Sequence, residues 1–250
     1  MISLAGRDIA HSWGKFVLTG IGLGLLIGVT LTMAGVYRGM VDDAHALLNN
    51  SNADLWVVQK DTLGPYAEAS SIKDDAVRSV RGMPGVARAA NVTYFTMQVQ
   101  SPKGSDIRAM VVGIEPGLPG EPGYLLAGRQ MTPGHYEAVA DIKTGFALGD
   151  RIQIRRHAFT VVGLTQRMVS SGGDPMVFVA LKDAQEAQFL KDNDAILNDR
   201  ARNAANPAFN RPGVPGLLEA LQTSQTSSHT VNAVLVQVAP EVAPEEVASP

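Results

Sequence analysis

Apolar residues run without a charged interruption from Phe16 to Tyr37, in "FVLTGIGLGLLIGVTLTMAGVY", and the rest of the chain mixes polar and apolar positions. A bilayer core of about 30 Å is crossed by roughly 20 apolar residues in helix. The apolar part of a signal peptide is shorter, about 7–15 residues, and ends at a small-x-small cleavage site. No such site precedes "VYRGM". The pattern predicts a retained transmembrane helix over 16–37. Upstream, helical spacing gathers Ile2, Ala5, Ile9, Trp13 and Phe16 on one face and Ser3, Arg7, His11 and Lys15 on the other, with Leu4 and Asp8 fitting neither. Residues 1–15 therefore read either as an amphipathic helix at the cytoplasmic surface or as a plain flank with snorkelling cations.

Beyond Arg38 the helical pattern continues through "GMVDDAHALLNN", a stalk over 38–52 that stops at the turn-forming "NNSN". The texture then becomes that of a sheet domain. Leu55 to Val58 is uninterrupted apolar and reads as a strand buried on both faces. "IKDDAVRSVRGMPGV" reads as a short helix with acidic residues at its start and a Gly-Met-Pro-Gly stop. "ARAANVTYFTMQVQ" and "DIRAMVVGIE" read as a hairpin, followed by the loop "PGLPGEPGY". "YEAVADIK", "DRIQIRRHAFTVVGLTQR" and "PMVFVAL" are short strands. Ile152 and Ile154 alternate with Arg151, Gln153 and Arg155, so the arginines belong to a solvated strand face. "LKDAQEAQFLKDNDAILNDRARNAANPAFNRPGVPGLLEALQTSQTSS" starts as a helix and becomes an Asn/Ala/Arg/Pro-rich stretch, with a mobile loop expected around Asn203 to Pro215. "TVNAVLVQVAP" returns as a strand and "EVAPEEVASP" opens a helix after Pro244. The order of strand and helix in the last segment echoes "DLWVVQ" with "IKDDAVRSV". The fold class is α+β, an N-terminal transmembrane helix followed by a sheet-containing extracytoplasmic domain.

Composition sharpens this picture at a few points. Among 250 residues there are 25 glycines and 14 prolines, which favours a domain of many reversals over a helical bundle. The net charge of −3, without a long basic run, argues against nucleic acid as a partner. Cysteine is absent, which removes disulfides and cysteine-based metal sites. Arg7 and Lys15 precede the apolar run, whereas Arg38 is followed by Asp42 and Asp43. The positive-inside bias places the N-terminus in the cytoplasm and the bulk of the chain outside it. Gly20, Gly24 and Gly28 recur every four residues and Gly35 falls on the same side, a groove that lets another helix approach closely. Lipid-facing glycine is the plainer reading of the same residues.

Catalytic patterns are missing from the sequence. There is no phosphate-binding G-x-x-x-x-G-K-[ST], no G-x-S-x-G elbow, and no dinucleotide fingerprint after a strand. His11, His45, His135, His157 and His229 are scattered, with no pair at metal-ligand spacing. The expectation is a protein that is not an enzyme and needs neither cofactor nor metal.

One span, a large external domain opening with "NSNADLWVVQKDTLGPYAEASSI", a "MPGV" after the first short helix, and "ALGDRIQIRRHAFTVVGLTQR" together resemble the MacB/FtsX-type permeases of ABC transporters, most nearly the DevC-like exporter branch. The resemblance covers essentially the whole chain. It implies a two-lobed periplasmic core: a porter-like lobe over 53–128 and 230–250, and an inserted Sabre-like lobe over 129–229. It further implies a bacterial inner-membrane protein that works as a homodimer with a separate ABC ATPase and a membrane-fusion adaptor. Ile9 and Trp13 would lie near the ATPase, and the Asn203–Pro215 loop would meet the adaptor. Such permeases carry three later membrane helices that this chain lacks, so a truncated exporter subunit is expected. The alternatives are a single-span sensor or scaffold, and an FtsX-like regulator of a cell-wall hydrolase.

Overall fold

The computed structural model describes residues 13–62, 68, 70–102, 104, 106–189, 201–203 and 230–248. They form two compact units, one up to His45 and the other from Ala46 onward.

The first unit is most of a single helix, α1 (Trp13–Asn50). Every residue from Trp13 to Met40 is exposed. Its three threonines bond within the helix. Thr19, Thr30 and Thr32 each donate to the carbonyl four residues back, on Lys15, Leu26 and Gly28. Such back-bonding lets a hydroxyl sit on an apolar helix without leaving its donor unpaired.

The second unit is built on one nine-stranded sheet. Its elements are β1 (Leu55–Val57), β2 (Ile72–Lys73), α2 (Ala76–Arg81), β3 (Val86–Gln100), β4 (Asp106–Ile114), β5 (Ala127–Gly128), β6 (Glu137–Asp141), β7 (Arg151–Ile154), β8 (His157–Thr165), β9 (Met176–Ala180), α3 (Leu181–Phe189), β10 (Thr230–Val231), β11 (Ala233–Val238) and α4 (Pro244–Ala248). β3 organises it. Its first half pairs with β11, with Ala90 opposite Leu235, and its second half pairs with β4, with Phe95 opposite Val111. Its last residue, Gln100, reaches Gln153 on β7. The pairings then run β3–β4–β9–β6–β8–β7 and back to β3, a closed ring. β11 and β1 extend from the other half of β3 as an open wing, and β5 hangs on β8.

The cores follow from this arrangement. The ring encloses Val99, Val111, Ala138, Ile152, Phe159 and Val177, and α3 covers them with Ala184 and Ala187. The opposite face of the same strands buries Met110, Val112, Val139, Met176 and Phe178 with Leu47 and Leu235. Two buried faces explain why "AMVVGI" and "MVFVA" are uninterrupted apolar runs. On the wing, Val77 and Val80 of α2 pack on Ala89, Val234 and Val236, with Val247 of α4 at the margin. Asn232, at the step between β10 and β11, accepts from the Tyr94 amide at 2.8 Å and donates to the Ser70 carbonyl at 2.9 Å.

The hairpin of β3 and β4, the strands β6 to β9, the helix α3 and the helix after Pro244 lie where the hydrophobic pattern put them. Ile152 and Ile154 point into the ring while Arg151 and Arg155 are exposed. Two expectations are corrected. β1 is not buried on both faces: among the described residues it is an edge strand, paired with β11 alone, with Leu55 and Trp56 half-buried and Val57 exposed. Ile72 is not part of the short helix either; it pairs with Val231 in the small β2–β10 sheet, and α2 begins at Ala76.

Candidate functional site

The final turn of α1 belongs to the sheet domain, and its backbone shows how it is held there. Leu47 is buried in the core. The Asn50 carbonyl accepts from the Gly123 amide at 2.9 Å, and the Ser51 carbonyl accepts from the Gly120 amide at 2.7 Å. The Asn50 side chain accepts from the Tyr124 amide at 2.8 Å through Oδ1 and contacts the Met168 sulfur at 3.2 Å through Nδ2. Ser51 also donates back to the Leu48 carbonyl at 2.7 Å. Carbonyls at a helix C-terminus have no partner within the helix; here the "PGLPGEPGY" loop supplies two of the donors.

That loop is shaped for the task. Gly120 has φ +106, a conformation side chains avoid, and a Cβ there would come within 2.7 Å of Leu235 Cδ1. At Gly123 a Cβ would press on the Asn52 amide at 2.9 Å. Glu121 lies between them and accepts from the Gly117 amide at 3.0 Å. The Gln130 side-chain amide donates to the Pro122 carbonyl. Arg88 of β3 donates to the Gly117 carbonyl at 3.3 Å.

Elsewhere in the domain several charged groups make structural contacts. Asp141 is fully buried, accepting from the Lys143 and Met168 amides at 2.8 and 2.7 Å. Arg129 and Glu137 form an ion pair at 2.5 Å, supported by the Thr132 amide. The Arg129 guanidinium, with the Thr132 donors, holds the Glu137 carboxyl down at about 2. His135 meets Asp183 at 2.6 Å, and His157 meets Glu186 at 3.2 Å. Tyr136 stacks on His157 with centroids 4.9 Å apart and meets Phe159 edge-on at 5.5 Å. These contacts fasten the approach to β6 onto α3. Among the described residues no cluster of three or more His, Asp or Glu is placed to hold a metal.

Gly20, Gly24, Gly28 and Gly35 all lie on α1, and a Cβ at each would meet nothing within 4 Å. A shallow notch beside Gly28 is lined by Leu25, Val29, Thr32 and Met33. Trp13 is the first described residue of α1 and is exposed. Ile9, the rest of the amphipathic segment through residue 12, and residues 204–215 of the polar loop lie outside the described residues. "VSSGGDP" is a compact turn in which the Ser170 amide donates to the Asp174 carbonyl at 2.8 Å and Ser170 Oγ accepts from the Asp174 amide at 3.1 Å. Sequence reasoning missed the clamp on Asn50 and Ser51. Its one visible signal was the density of Gly and Pro between β4 and β5, more than a simple connection needs.

Residues 16–249 match the family described as the MacB-like periplasmic core domain. The chain belongs to that family. The match spans α1 from Phe16 and nearly the whole sheet domain. Over 191 residues the chain is 27% identical to an uncharacterized ABC transporter permease of Mycobacterium tuberculosis, covering 76% of this chain and 53% of that protein. Over 190 residues it is 22% identical to an uncharacterized ABC transporter permease of Mycobacterium bovis, with coverage of 76% and 53%. The chain thus spans about half the length of the curated relatives it matches. Among solved structures, the periplasmic region of MacB from Actinobacillus actinomycetemcomitans aligns at 12% identity and a TM-score of 0.47, covering 81% of this chain and 83% of that one. The extracellular domain of the noncanonic ABC-type transporter YknZ aligns at 13% and 0.41, covering 77% and 84%. A MacB-like periplasmic core domain joined to an N-terminal helix long and apolar enough to cross a membrane fits a membrane protein with an extracytoplasmic domain, of the ABC transporter permease type.

Proposed function

We propose that this chain is the anchoring and extracytoplasmic part of an exporter permease, which carries ATP-driven motion from a separate ABC ATPase to a domain that handles substrate outside the membrane. The observation that carries this reading is the last turn of α1. A helix that needed only to tether a domain would be joined by a slack linker. Here Asn50 and Ser51 are hydrogen-bonded into the Gly120–Tyr124 loop, and Leu47 sits in the core, so movement of the helix end displaces the sheet.

In this reading the N-terminus is cytoplasmic, Ile9 and Trp13 lie against the ATPase, and Gly20, Gly24, Gly28 and Gly35 pack α1 against neighbouring helices of a homodimer. The domain works as two lobes. The porter-like lobe is 53–128 with 230–250, a division supported by β11 pairing between β1 and β3. The Sabre-like lobe is 129–229, and the long β3 and β4 are the strands both lobes draw on. A membrane-fusion adaptor meets the Asn203–Pro215 loop. The chain carries no catalytic centre of its own and takes no cofactor.

The absence of native cysteine makes the test direct. Single cysteines placed at Trp13 and at Gly24 in membranes are expected to crosslink to an ABC ATPase and to a second copy of the chain, respectively. An ATPase that never appears among the Trp13 adducts, with a kinase or a hydrolase found instead, would overturn the exporter reading in favour of a sensor or an FtsX-like regulator.

A further inference from the structure

The loop that holds the end of α1 contains one titratable group placed to control it. Glu121 lies directly between the amides of Gly120 and Gly123, which donate to Ser51 and Asn50. Its Oε2 accepts from the Gly117 amide at 3.0 Å and closes the loop on itself. Its Oε1 is buried and has no hydrogen-bond partner among the described residues. The neighbouring Gln130, whose Nε2 is taken by the Pro122 carbonyl, likewise leaves its Oε1 buried and unmatched. Among the described residues Glu121 Oε1 therefore lacks the donor that a buried carboxylate needs. A neutral carboxyl suits that place better, because burial penalises the charged form.

The charged groups on the elements that meet this loop do not offset that shortage. Arg88 of β3 is spent on the Gly117 carbonyl and on Gln237. Arg81 of α2 pairs with Glu115 at the start of the loop. Asp54, just after the end of α1, accepts from the Val238 amide. Arg129, beside Gln130, pairs with Glu137.

We propose that Glu121 is a proton-operated lock on the α1 clamp: with a proton from solvent on its carboxyl the loop closes firmly on Asn50 and Ser51, and with that proton lost the loop loosens. Burial raises the Glu121 pKa, and the Gly117 hydrogen bond only partly opposes it. The closed loop thus holds its proton to higher pH than the open loop does. Closing is favoured as pH falls through this range and disfavoured as pH rises.

The test is hydrogen exchange on the full chain in lipid nanodiscs, with amide rates corrected for the intrinsic effect of pH, read on peptides covering 117–124 from pH 4 to 8. Protection of the Gly120 and Gly123 amides is expected to fall several-fold as pH rises. Glu121→Gln keeps an acceptor for Gly117 and adds a permanent donor, so it is expected to hold high protection across the range. Unchanged protection of the Met176–Ala180 peptide identifies a folded variant. Should Glu121→Gln perturb that peptide, Glu121→Met, which removes the titrating group, provides the second comparison and is expected to abolish the pH response. A wild-type profile flat in pH, or an equal slope in wild type and both variants, overturns the lock. Its significance for transport rests on the coupling role proposed above, but the exchange readout does not. Failure to find an ATPase would remove that role and leave the lock standing.

Discussion

β9 and the apolar length of α1 are built from the same kind of residue, uncharged and mainly aliphatic. Yet Met176 to Val179 are buried, while Phe16 to Tyr37 are exposed throughout. β9 loses its water to neighbouring strands on both sides and to a core on each face. α1 has no protein surface over it in the first unit, and its three threonines turn their hydroxyls onto its own backbone. Apolar surface of that extent, with the backbone fully paired in helix, is matched to hydrocarbon rather than to water. Hydrophobicity therefore specifies two destinations in one chain. Unbroken length makes one run a helix long and apolar enough to cross a membrane, whereas short runs between turn residues go to a sheet.

The most severe way to break this comparison is Phe178→Ala. Removing a fully buried ring from the core is expected to cost about 3–5 kcal/mol. Chemical denaturation should show it as a large loss of domain stability, while the chain stays in the membrane fraction. Leu26→Arg does the reverse. A charge at the centre of a membrane helix costs about 2.5–3.5 kcal/mol, so the membrane-bound fraction after alkaline extraction should drop while domain melting is unchanged. If that variant instead destabilised the domain, α1 would belong to a protein core. Asn232→Ala is expected to cost about 1–3 kcal/mol, because the buried Tyr94 amide and Ser70 carbonyl lose their partner; a melting curve identical to wild type would refute the role assigned to that step.

The smallest effect is electrostatic. The Glu137 carboxyl is held at about 2 by Arg129, so the pair's contribution is complete above the ordinary carboxylate range. It is lost as pH falls from about 4.5 to about 2. The pair is largely solvated, which keeps its contribution small. Glu137→Gln is expected to flatten that part of the Tm-against-pH curve by lowering the neutral plateau slightly, with the most acidic end nearly unchanged.

Local pattern carried most of the fold. The length of Phe16–Tyr37, the alternation of Ile152 and Ile154, and the turn residues around the β3–β4 hairpin each act over a few residues, so each was legible. What escaped depended on distant partners. "LWV" has the composition of a central strand, and only the strand order makes β1 an edge. Ring closure rests on Gln100 meeting Gln153, a pairing with no signature in either segment. The clamp was hidden for the same reason. "PGLPGEPGY" announces a loop, but nothing local says that its amides face the carbonyls of Asn50 and Ser51.

β3 spans both the wing and the ring, and that has a mutational corollary. Successive side chains on a strand alternate sides, so an inserted or deleted residue near Thr93 would leave one half in phase and turn the other inside out. Substitutions along β3 are thus survivable one at a time, whereas a single-codon indel in it should be among the least tolerated changes in the gene.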